Sequence, residues 1–173
     1  MEVGLLLSAA ALLSLERICY VWIWRAPDAF RVMCPGEEEP VAAVRFLFSG
    51  FKVLQLTVFV WWCYVHGNGS IWPPDGGPIV VGLGGLFIAA GQWLNLSVFY
   101  HLGTVGVFYG NRFGHEVPWC RQFPFSLLAH PQYVGTVLSI WGFFLIMRFP
   151  HGDWYVIPAL ETVYYVLGAR LEQ

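Results

Sequence analysis

The sequence predicts an all-α fold: a polytopic membrane helical bundle of four to five transmembrane helices, formed as a single domain over residues 1–173. Of its residues, 57% are hydrophobic and 12% are charged, about half the charged fraction of a soluble domain. A membrane-spanning helix needs about 20 predominantly apolar residues. Runs of this kind cover residues 3–24, 44–65, 79–100, 125–149 and 154–171.

The length and hydrophobicity of each run decide how many membrane crossings the sequence predicts. Residues 3–24 include Glu16 and Arg17 but lack the basic start and small-residue cleavage site of a signal peptide, so we interpret them as the first span. The second and third spans are separated by the turn-rich loop HGNGSIWPPDGGP. The run at 125–149 is long enough for a fourth crossing. The last run, 154–171, is shorter and weaker, which leaves four or five.

Basic residues indicate the orientation of the chain in the membrane. With five crossings, most of them fall on one face: Arg25, Arg31, Arg45, Lys52, Arg112, Arg121 and Arg170, with Arg148 as the exception. The Gly/Pro loop between the second and third spans has none. By the positive-inside rule, the basic face is cytoplasmic.

Composition also excludes several functions. The formal net charge is −2 and no basic stripe is present, so we expect no nucleic-acid partner. The four cysteines, Cys19, Cys34, Cys63 and Cys120, lack metal-ligand spacing, so we expect no metal and no disulfide framework. The partners that remain are membrane lipids, and the sequence leaves the oligomeric state open.

A glycine-rich segment, LGTVGVFYGNRFGHEVPWCRQFPF at residues 102–125, precedes the penultimate helix. Gly103, Gly106, Gly110 and Gly114 are spaced by three or four residues, which predicts that they share one side of a helix. On such a side the backbone can approach another helix or a ligand. We interpret the segment as a cap over the bundle, with an open loop as the alternative.

The motif HPQYVG follows this cap. Proline ends any preceding helix at His130 and suits the first position of a new helix, so a helix is predicted to start at Pro131. The N-terminus of that helix would suit a carboxylate or similar acceptor. The motif would thus place His130, a helix start and Tyr133 beside the glycine-rich segment.

The stretch GQWLNLSVFYHLGTVGVFYGNRFGHEVPWCRQFPFSLLAHPQYVG closely resembles the phospholipid N-methyltransferases of the phosphatidylethanolamine N-methyltransferase family. The combination of LGxxGxxYGxRFG, FPF and PQYVG is specific, and it is most similar to the plant and fungal enzymes that act on phosphatidyl-N-methylethanolamine. The N-terminal YVWIWRAPDAFRVMC is similar to their first span and the segment after it.

The resemblance implies an integral membrane enzyme that uses S-adenosyl-L-methionine to methylate phosphatidyl-N-methylethanolamine and its dimethyl form, towards phosphatidylcholine. The family's glycine motif falls on AAG, where Gly91 matches the second glycine and Ala89 replaces the first. Its acidic motif falls on Glu172, with Gln173 in place of a second acid. The cofactor-binding residues expected on this basis are Gly91, Gly103, Gly106, His130, Pro131, Tyr133 and Glu172.

Methyl transfer to nitrogen requires an unprotonated amine. An alkylammonium has a pKa near 10, so about one molecule in a thousand is neutral at pH 7, a cost of about 4 kcal/mol. A nearby base lowers this cost. The catalytic candidates are Glu116, His115 and His130, with Glu116 or His115 preferred.

Substrate binding requires groups for phosphate and for the methylammonium. Arg112 and Arg121 suit the phosphate because a guanidinium binds it in a bidentate way, although both residues could simply be positive-inside determinants. Tyr109 is a candidate for cation–π contact with the methylammonium.

Two alternatives from the same fold group stay open. His130-Pro131 is similar to the His-Pro of isoprenylcysteine-type carboxyl methyltransferases. An NADPH-dependent membrane reductase would need additional basic residues for the 2′-phosphate, and this chain has few. For the leading interpretation we expect a multi-pass protein of the endoplasmic reticulum in a eukaryote, or of the inner membrane in a bacterium, with its active site facing the cytosol.

Overall fold

The computed structural model describes residues 2–34, 36, 39–118 and 120–172, and these residues form helices joined by turns. The helices are α1 (Val3–Arg25), α2 (Pro27–Val32), α3 (Glu39–His66), α4 (Pro78–Val107), α5 (Pro131–Arg148) and α6 (Val156–Leu171). A short 3₁₀-helix, Gly110–Phe113, follows α4. The predicted all-α class is confirmed, and α2 is an element that the hydropathy pattern did not indicate.

Three helical stretches of the described chain are long and apolar enough to cross a membrane: Val3–Arg25, Pro40–His66 and Pro78–Phe113. They make the chain a membrane protein. The last two helices, α5 with 18 residues and α6 with 16, are not among them. The number of crossings, four or five, therefore stays a prediction.

Helices α4 and α5 pack antiparallel along most of the length of α5. Gly91 faces Gly135 near the start of α5, and Gly84 faces Gly142 further along it. A Cβ on Gly84 would lie 2.8 Å from the carbonyl oxygen of Gly142, so there is no space for a side chain at this crossing. Small residues at such crossings let two backbones approach closely, the packing that membrane helices favour.

The other long helices enclose α5 from its opposite side. A cluster of buried apolar residues joins α1, α3, α5 and α6: Ala9, Leu13, Val58, Phe59, Trp62, Cys63, Ile140, Phe144, Ile157 and Tyr165. A second cluster joins α1, α2 and α3 to the end of α4 through Tyr20, Ile23, Phe30, Val41, Val44, Phe108 and Phe113. Arg25 Nε donates a hydrogen bond to Leu171 O over 2.7 Å, which places the last turns of α1 and α6 together.

The C-terminal ends of α1, α4 and α6 and the N-terminal end of α5 thus meet at one end of the bundle, which we call the basic end. The sequence places Arg25, Arg112, Arg121 and Arg170 at or next to these helix ends. The predicted helix start at Pro131 is confirmed, with His130 as the N-cap residue. Residues 121–130 form turns and irregular backbone, so α5 is shorter than the predicted run 125–149.

The prediction that the four glycines share one helical side is wrong. The helical backbone breaks at Gly103, where φ is 63° and ψ is 179°, and α4 ends at Val107. Tyr109 then adopts a left-handed conformation with φ of 60°, and Gly114 adopts one with φ of 89°. These positive φ angles change the chain direction repeatedly, which a spacing argument based on a continuous helix does not capture.

The packing of α4 on α5 generates a matched pair of substitutions. We expect Gly84→Ala to lower the unfolding temperature of the detergent-purified protein, because the new methyl group meets Gly142 and overpacking costs about 1–3 kcal/mol. On the neighbouring Gly85 an added Cβ would have no atom within 4 Å, so Gly85→Ala should leave the unfolding temperature unchanged or slightly higher. Equal shifts in the two variants would contradict this packing.

Candidate active site

A cavity of about 710 Å³ opens at the basic end of the bundle. This volume lies within the range of small-molecule sites in proteins. Part of its wall is apolar, and Val98, Leu102, Val107, Val117, Phe125 and Leu128 contribute to that part. The remaining wall carries convergent polar groups from α5, from the turn after α4 and from the end of α6, which include Tyr109, Asn111, Arg121, His130, Gln132, Tyr133 and Glu172.

The carboxylate of Glu172 is the acidic group of this wall. Tyr109 Oη donates a hydrogen bond to Glu172 Oε1 over 3.2 Å, and Tyr133 Oη donates a short hydrogen bond to Glu172 Oε2. Each carboxylate oxygen therefore has one tyrosine donor, and hydrogen bonds to a charged group are about twice as strong as neutral ones. Because Glu172 directly follows α6, these bonds fix the end of α6 against the start of α5 and the turn after α4.

His130 and Tyr133 belong to the first turn of α5 and face the same cavity. The imidazole ring stacks on the Tyr133 ring with centroids 5.7 Å apart and an interplanar angle of 17°. The His130 carbonyl oxygen accepts the backbone N–H groups of Tyr133 and Val134, both over 3.1 Å. The helix start that the His-Pro pair predicts thus orients both side chains towards the cavity.

Of the predicted site residues, seven line this cavity: Gly106, Tyr109, Arg121, His130, Pro131, Tyr133 and Glu172. Five others do not: Gly91, Gly103, Arg112, His115 and Glu116. Gln173, the residue after the acidic position, lies outside the described residues. The functional roles of all these residues stay predictions.

The two glycines outside the cavity wall have structural positions. Gly91 is buried at the crossing of α4 and α5, where an added side chain would collide with Gly135 and Ser139. Gly103 lies at the kink of α4, exposed, with a positive φ that glycine adopts without strain.

Arg112 does not line the cavity but packs on Trp24 of α1, which does. Its Nη2 donates a hydrogen bond to Trp24 O over 2.7 Å, and its guanidinium carbon lies 4.8 Å from the centroid of the Trp24 ring. A second arginine fixes the same turn, because Arg31 Nη2 donates to Phe113 O over 2.6 Å. Both contacts hold the 3₁₀-helix against α1 and α2.

His115 and Glu116 also lie outside the cavity. His115 contributes to a separate groove of about 480 Å³ on the flank of α3 and α4, together with Arg45 and Phe46. Its Nε2 atom is buried and has no hydrogen-bond partner in the part of the chain that the structure describes. Glu116 is exposed to solvent.

Sequence reasoning missed several polar wall positions, among them Trp24, Asn111, Ser126 and Gln132. Trp24 belongs to a set of tryptophans near span ends, which interfacial anchoring already explains. Gln132 stands inside the HPQYVG motif, so the motif itself was the available signal for it.

Residues 79–173, which include α4 to α6 and most of the cavity wall, match the model of the phospholipid methyltransferase family. The chain belongs to this family. It is therefore an enzyme that methylates phospholipid, and it requires a methyl donor. The resemblance seen in the sequence is confirmed.

Curated relatives give the same result. The chain is 32% identical over 122 residues to the phosphatidyl-N-methylethanolamine N-methyltransferase of Arabidopsis thaliana. This match covers 70% of this chain and 67% of the relative. It is 34% identical over 92 residues to the phosphatidylethanolamine N-methyltransferase of Mus musculus, and this match covers 53% of this chain and 45% of the relative. The phosphatidyl-N-methylethanolamine N-methyltransferase of Saccharomyces cerevisiae is also 34% identical over 92 residues, covering 53% of this chain and 44% of the relative.

No solved structure matches the chain. The matched region spans about two thirds of the plant relative and less than half of the mouse and yeast relatives. These relatives are N-methyltransferases by name, which favours N-methylation over the carboxyl methyltransferase and reductase alternatives.

The two arginines after α4 should differ in their effect on stability. We expect Arg112→Ala to lower the unfolding temperature, because it removes a hydrogen bond and a cation–π contact that together contribute about 1–2 kcal/mol. Arg121→Ala should leave the unfolding temperature unchanged, since that side chain is exposed and makes no hydrogen bond or ring contact with the residues that the structure describes. Thermal unfolding of both purified variants in the same detergent measures the difference, and an equal loss in Arg121→Ala would contradict this assignment.

Proposed function

We propose that the protein transfers the methyl group of S-adenosyl-L-methionine to the headgroup amine of a phospholipid. The preferred substrates are phosphatidyl-N-methylethanolamine and its dimethyl form, and the product series leads towards phosphatidylcholine. The observation that carries this proposal is the Glu172 carboxylate, which two tyrosine hydroxyls hold in the wall of a 710 Å³ cavity. Most of the wall of this cavity belongs to residues 79–173, the part of the chain that matches the family.

The residues of the cavity fit S-adenosyl-L-methionine. Glu172 can accept hydrogen bonds from ribose hydroxyls or from the methionyl ammonium, and Tyr109 and Tyr133 fix it for that purpose. Gly106 lies in the wall, and because an added Cβ would meet Leu102 and Val117, its lack of a side chain lets these wall residues pack closely. When bound, the sulfonium group supplies an electrophilic methyl. The other wall residues exclude water from the site because most of them are apolar.

The phospholipid must enter from the bilayer and present its amine inside the cavity. Arg121 lines the cavity with an exposed side chain, so it can bind the substrate phosphate at the entrance. Arg112 is already occupied with Trp24, which makes it the weaker candidate of the two. Tyr109 and Tyr133 present aromatic surfaces where the methylammonium can rest.

The amine must lose a proton before it can act as a nucleophile. Among the three candidate bases, His130 alone lines the cavity, whereas His115 and Glu116 lie outside it. We therefore place His130 first as the base that takes this proton. Its stacking on Tyr133 holds the imidazole at the cavity wall.

The proposed location follows from charge and from the position of the cavity. The cavity opens at the basic end of the bundle, and basic residues favour the cytoplasmic face. The active site would accordingly face the cytosol. The membrane would be the endoplasmic reticulum in a eukaryotic host and the inner membrane in a bacterial one.

Methyl transfer in lipid nanodiscs tests the activity. The protein is supplied with radiolabelled S-adenosyl-L-methionine and with phosphatidylethanolamine, its monomethyl form or its dimethyl form. We expect label in the lipid, most of all with the monomethyl and dimethyl forms. Glu172→Gln should lower kcat/KM at least tenfold, because it removes a charged acceptor, and loss of a hydrogen bond to a charged group costs about 1.5–3 kcal/mol.

The matched control is Asp28→Asn, which removes an exposed carboxylate on α2 outside the cavity and should keep wild-type activity. Wild-type protein that labels none of the three lipids would contradict the proposed activity. Equal losses in the two variants would contradict the role of Glu172.

The identity of the base is tested with glutamine variants of its three candidates. We expect His130→Gln to lower kcat about 100-fold or more, as the loss of a general base does. His115→Gln and Glu116→Gln should retain most of the activity, because neither side chain lines the cavity. His151→Gln, in the turn between α5 and α6, controls for the loss of an imidazole. A large loss in His115→Gln or Glu116→Gln alone would overturn the assignment to His130.

A further inference from the structure

A second group of polar side chains lies behind the cavity wall, inside the helices. Its members are Glu16 and Arg17 on α1, Lys52 and Gln55 on α3, and Glu161 and Tyr165 on α6; we call them the inner polar cluster. Glu16, Arg17 and Glu161 are 4%, 8% and 2% exposed. Ionisable residues are costly within membrane helices, so a buried group of them points to a function.

Glu16 is the centre of the charge pairing in this cluster. Its Oε1 atom lies 2.5 Å from Arg17 Nη2 and 3.0 Å from Lys52 Nζ. Lys52 Nζ also donates to Gln55 Oε1 over 3.1 Å and to Tyr165 Oη over 3.0 Å. The ion pair with Glu16 fixes one side of the Arg17 guanidinium, because separating a buried cation from its partner is costly.

The other side of the Arg17 guanidinium faces tyrosine rings. Its carbon lies 4.1 Å from the ring centroid of Tyr165, 5.2 Å from that of Tyr20 and 5.3 Å from that of Tyr133. The ring of Tyr20 in turn meets the ring of Tyr109 edge to face, with centroids 6.0 Å apart. Arg17 thus contacts one of the two tyrosines that hold Glu172 and reaches the other through Tyr20.

A small polar chamber of about 50 Å³ lies among these side chains. It shares Val107, Tyr109, Gln132 and Tyr133 with the large cavity, so these residues form the partition between the two. Arg17 Nε, Arg17 Nη1 and Tyr20 Oη are buried polar atoms without a hydrogen-bond partner among the described residues, and both Arg17 and Tyr20 line the chamber. A water molecule needs about 10–15 Å³ and two to four polar partners, so the chamber suits water.

We propose that Arg17 is a positioning residue for Glu172, and that it acts through the tyrosine partition and through water held in the inner chamber. The guanidinium supports the ring of Tyr133, and water joins its free N–H groups to Tyr20. The two hydroxyls of Tyr109 and Tyr133 are thereby held on the carboxylate. This inference rests on the proposed function, because Glu172 is taken as a contact for S-adenosyl-L-methionine.

An arginine suits this position better than a lysine does. A guanidinium is planar, so it stacks on a ring with its face while its N–H groups donate at the edge. Lysine keeps the charge beside Glu16 but offers no plane to stack. Arg17→Lys therefore removes the support of the tyrosines without leaving Glu16 unpaired.

A double-mutant cycle tests the proposal with binding rather than turnover. The dissociation constant of S-adenosyl-L-methionine is measured by isothermal titration calorimetry for wild type, Arg17→Lys, Glu172→Gln and the double variant. We expect each single variant to bind about tenfold more weakly, the size of one lost hydrogen bond to a charged group. The double variant should bind no more weakly than Glu172→Gln alone, because Arg17 acts through that carboxylate.

The matched control is Arg148→Lys at the opposite end of α5. Arg148 is also buried, and its Nη2 pairs with Asp153 Oδ1 over 2.6 Å. A general loss of packing would weaken the binding of S-adenosyl-L-methionine equally in the Arg17 and Arg148 variants. In the double variant, its fold-loss in affinity would multiply with the fold-loss caused by Glu172→Gln. Multiplied losses for Arg17→Lys, or wild-type affinity in that variant, would overturn the positioning role.

A milder variant covers the case in which Arg17→Lys does not fold. Tyr20→Phe keeps the ring and removes the hydroxyl, which has no hydrogen-bond partner within the described ranges of the chain. We expect a two- to threefold weaker dissociation constant, about 0.5 kcal/mol, again without further loss in the Glu172→Gln background. Wild-type affinity in Tyr20→Phe would overturn the proposal.

The same measurements separate this inference from the proposed function. Wild-type protein that does not bind S-adenosyl-L-methionine would overturn the proposed function, and the positioning role with it. Wild-type affinity in Glu172→Gln would overturn the role of Glu172 as a cofactor contact, and the positioning role of Arg17 with it. The positioning role alone would be overturned if Glu172→Gln weakens binding but its fold-loss multiplies with the fold-losses of the Arg17 and Tyr20 variants.

Discussion

The close approach of α4 and α5 is the constraint on which the rest of the structure depends. Gly91 meets Gly135, and Gly84 meets Gly142, with no space for a side chain at either crossing. In a bilayer the hydrophobic effect does not drive helices together, so contact between their backbones has to do so. This contact fixes the start of α5 beside the end of α4, and the cavity forms where these two ends separate.

The cavity is closed on its third side by the end of α6. Glu172 arrives there through the packing of α6 on α1 and α5, and the hydroxyls of Tyr109 and Tyr133 complete the junction. Three parts of the chain that lie far apart in sequence therefore meet at one carboxylate. The same junction brings a base candidate, His130, and a phosphate candidate, Arg121, to one volume. Under the proposed function, a site assembled from helix ends in this way would receive a polar cofactor from the cytosol and a lipid from the bilayer.

The buried charges deeper in the bundle extend this arrangement. Glu16 pairs with both Arg17 and Lys52 inside the helices, and the Arg17 guanidinium faces the ring of Tyr133 behind the cavity wall. A polar group at this depth is stable only when each member is paired or hydrated. In the proposed positioning role, the cluster supports a wall whose outer face meets the ligand.

The sequence by itself determined the helical membrane class, the family and the helix start at Pro131, because hydropathy, motif and proline chemistry are local properties. It also identified Tyr109, Tyr133, His130 and Glu172 as site candidates through their motifs. Only the tertiary structure decided which candidates share a cavity: it placed Gly91 at a helix crossing, Arg112 on Trp24, and His115 in a separate groove. The reason is that positive φ angles at Gly103, Tyr109 and Gly114 redirect the chain between helices, and the side on which a turn delivers its side chains depends on packing that no local pattern records.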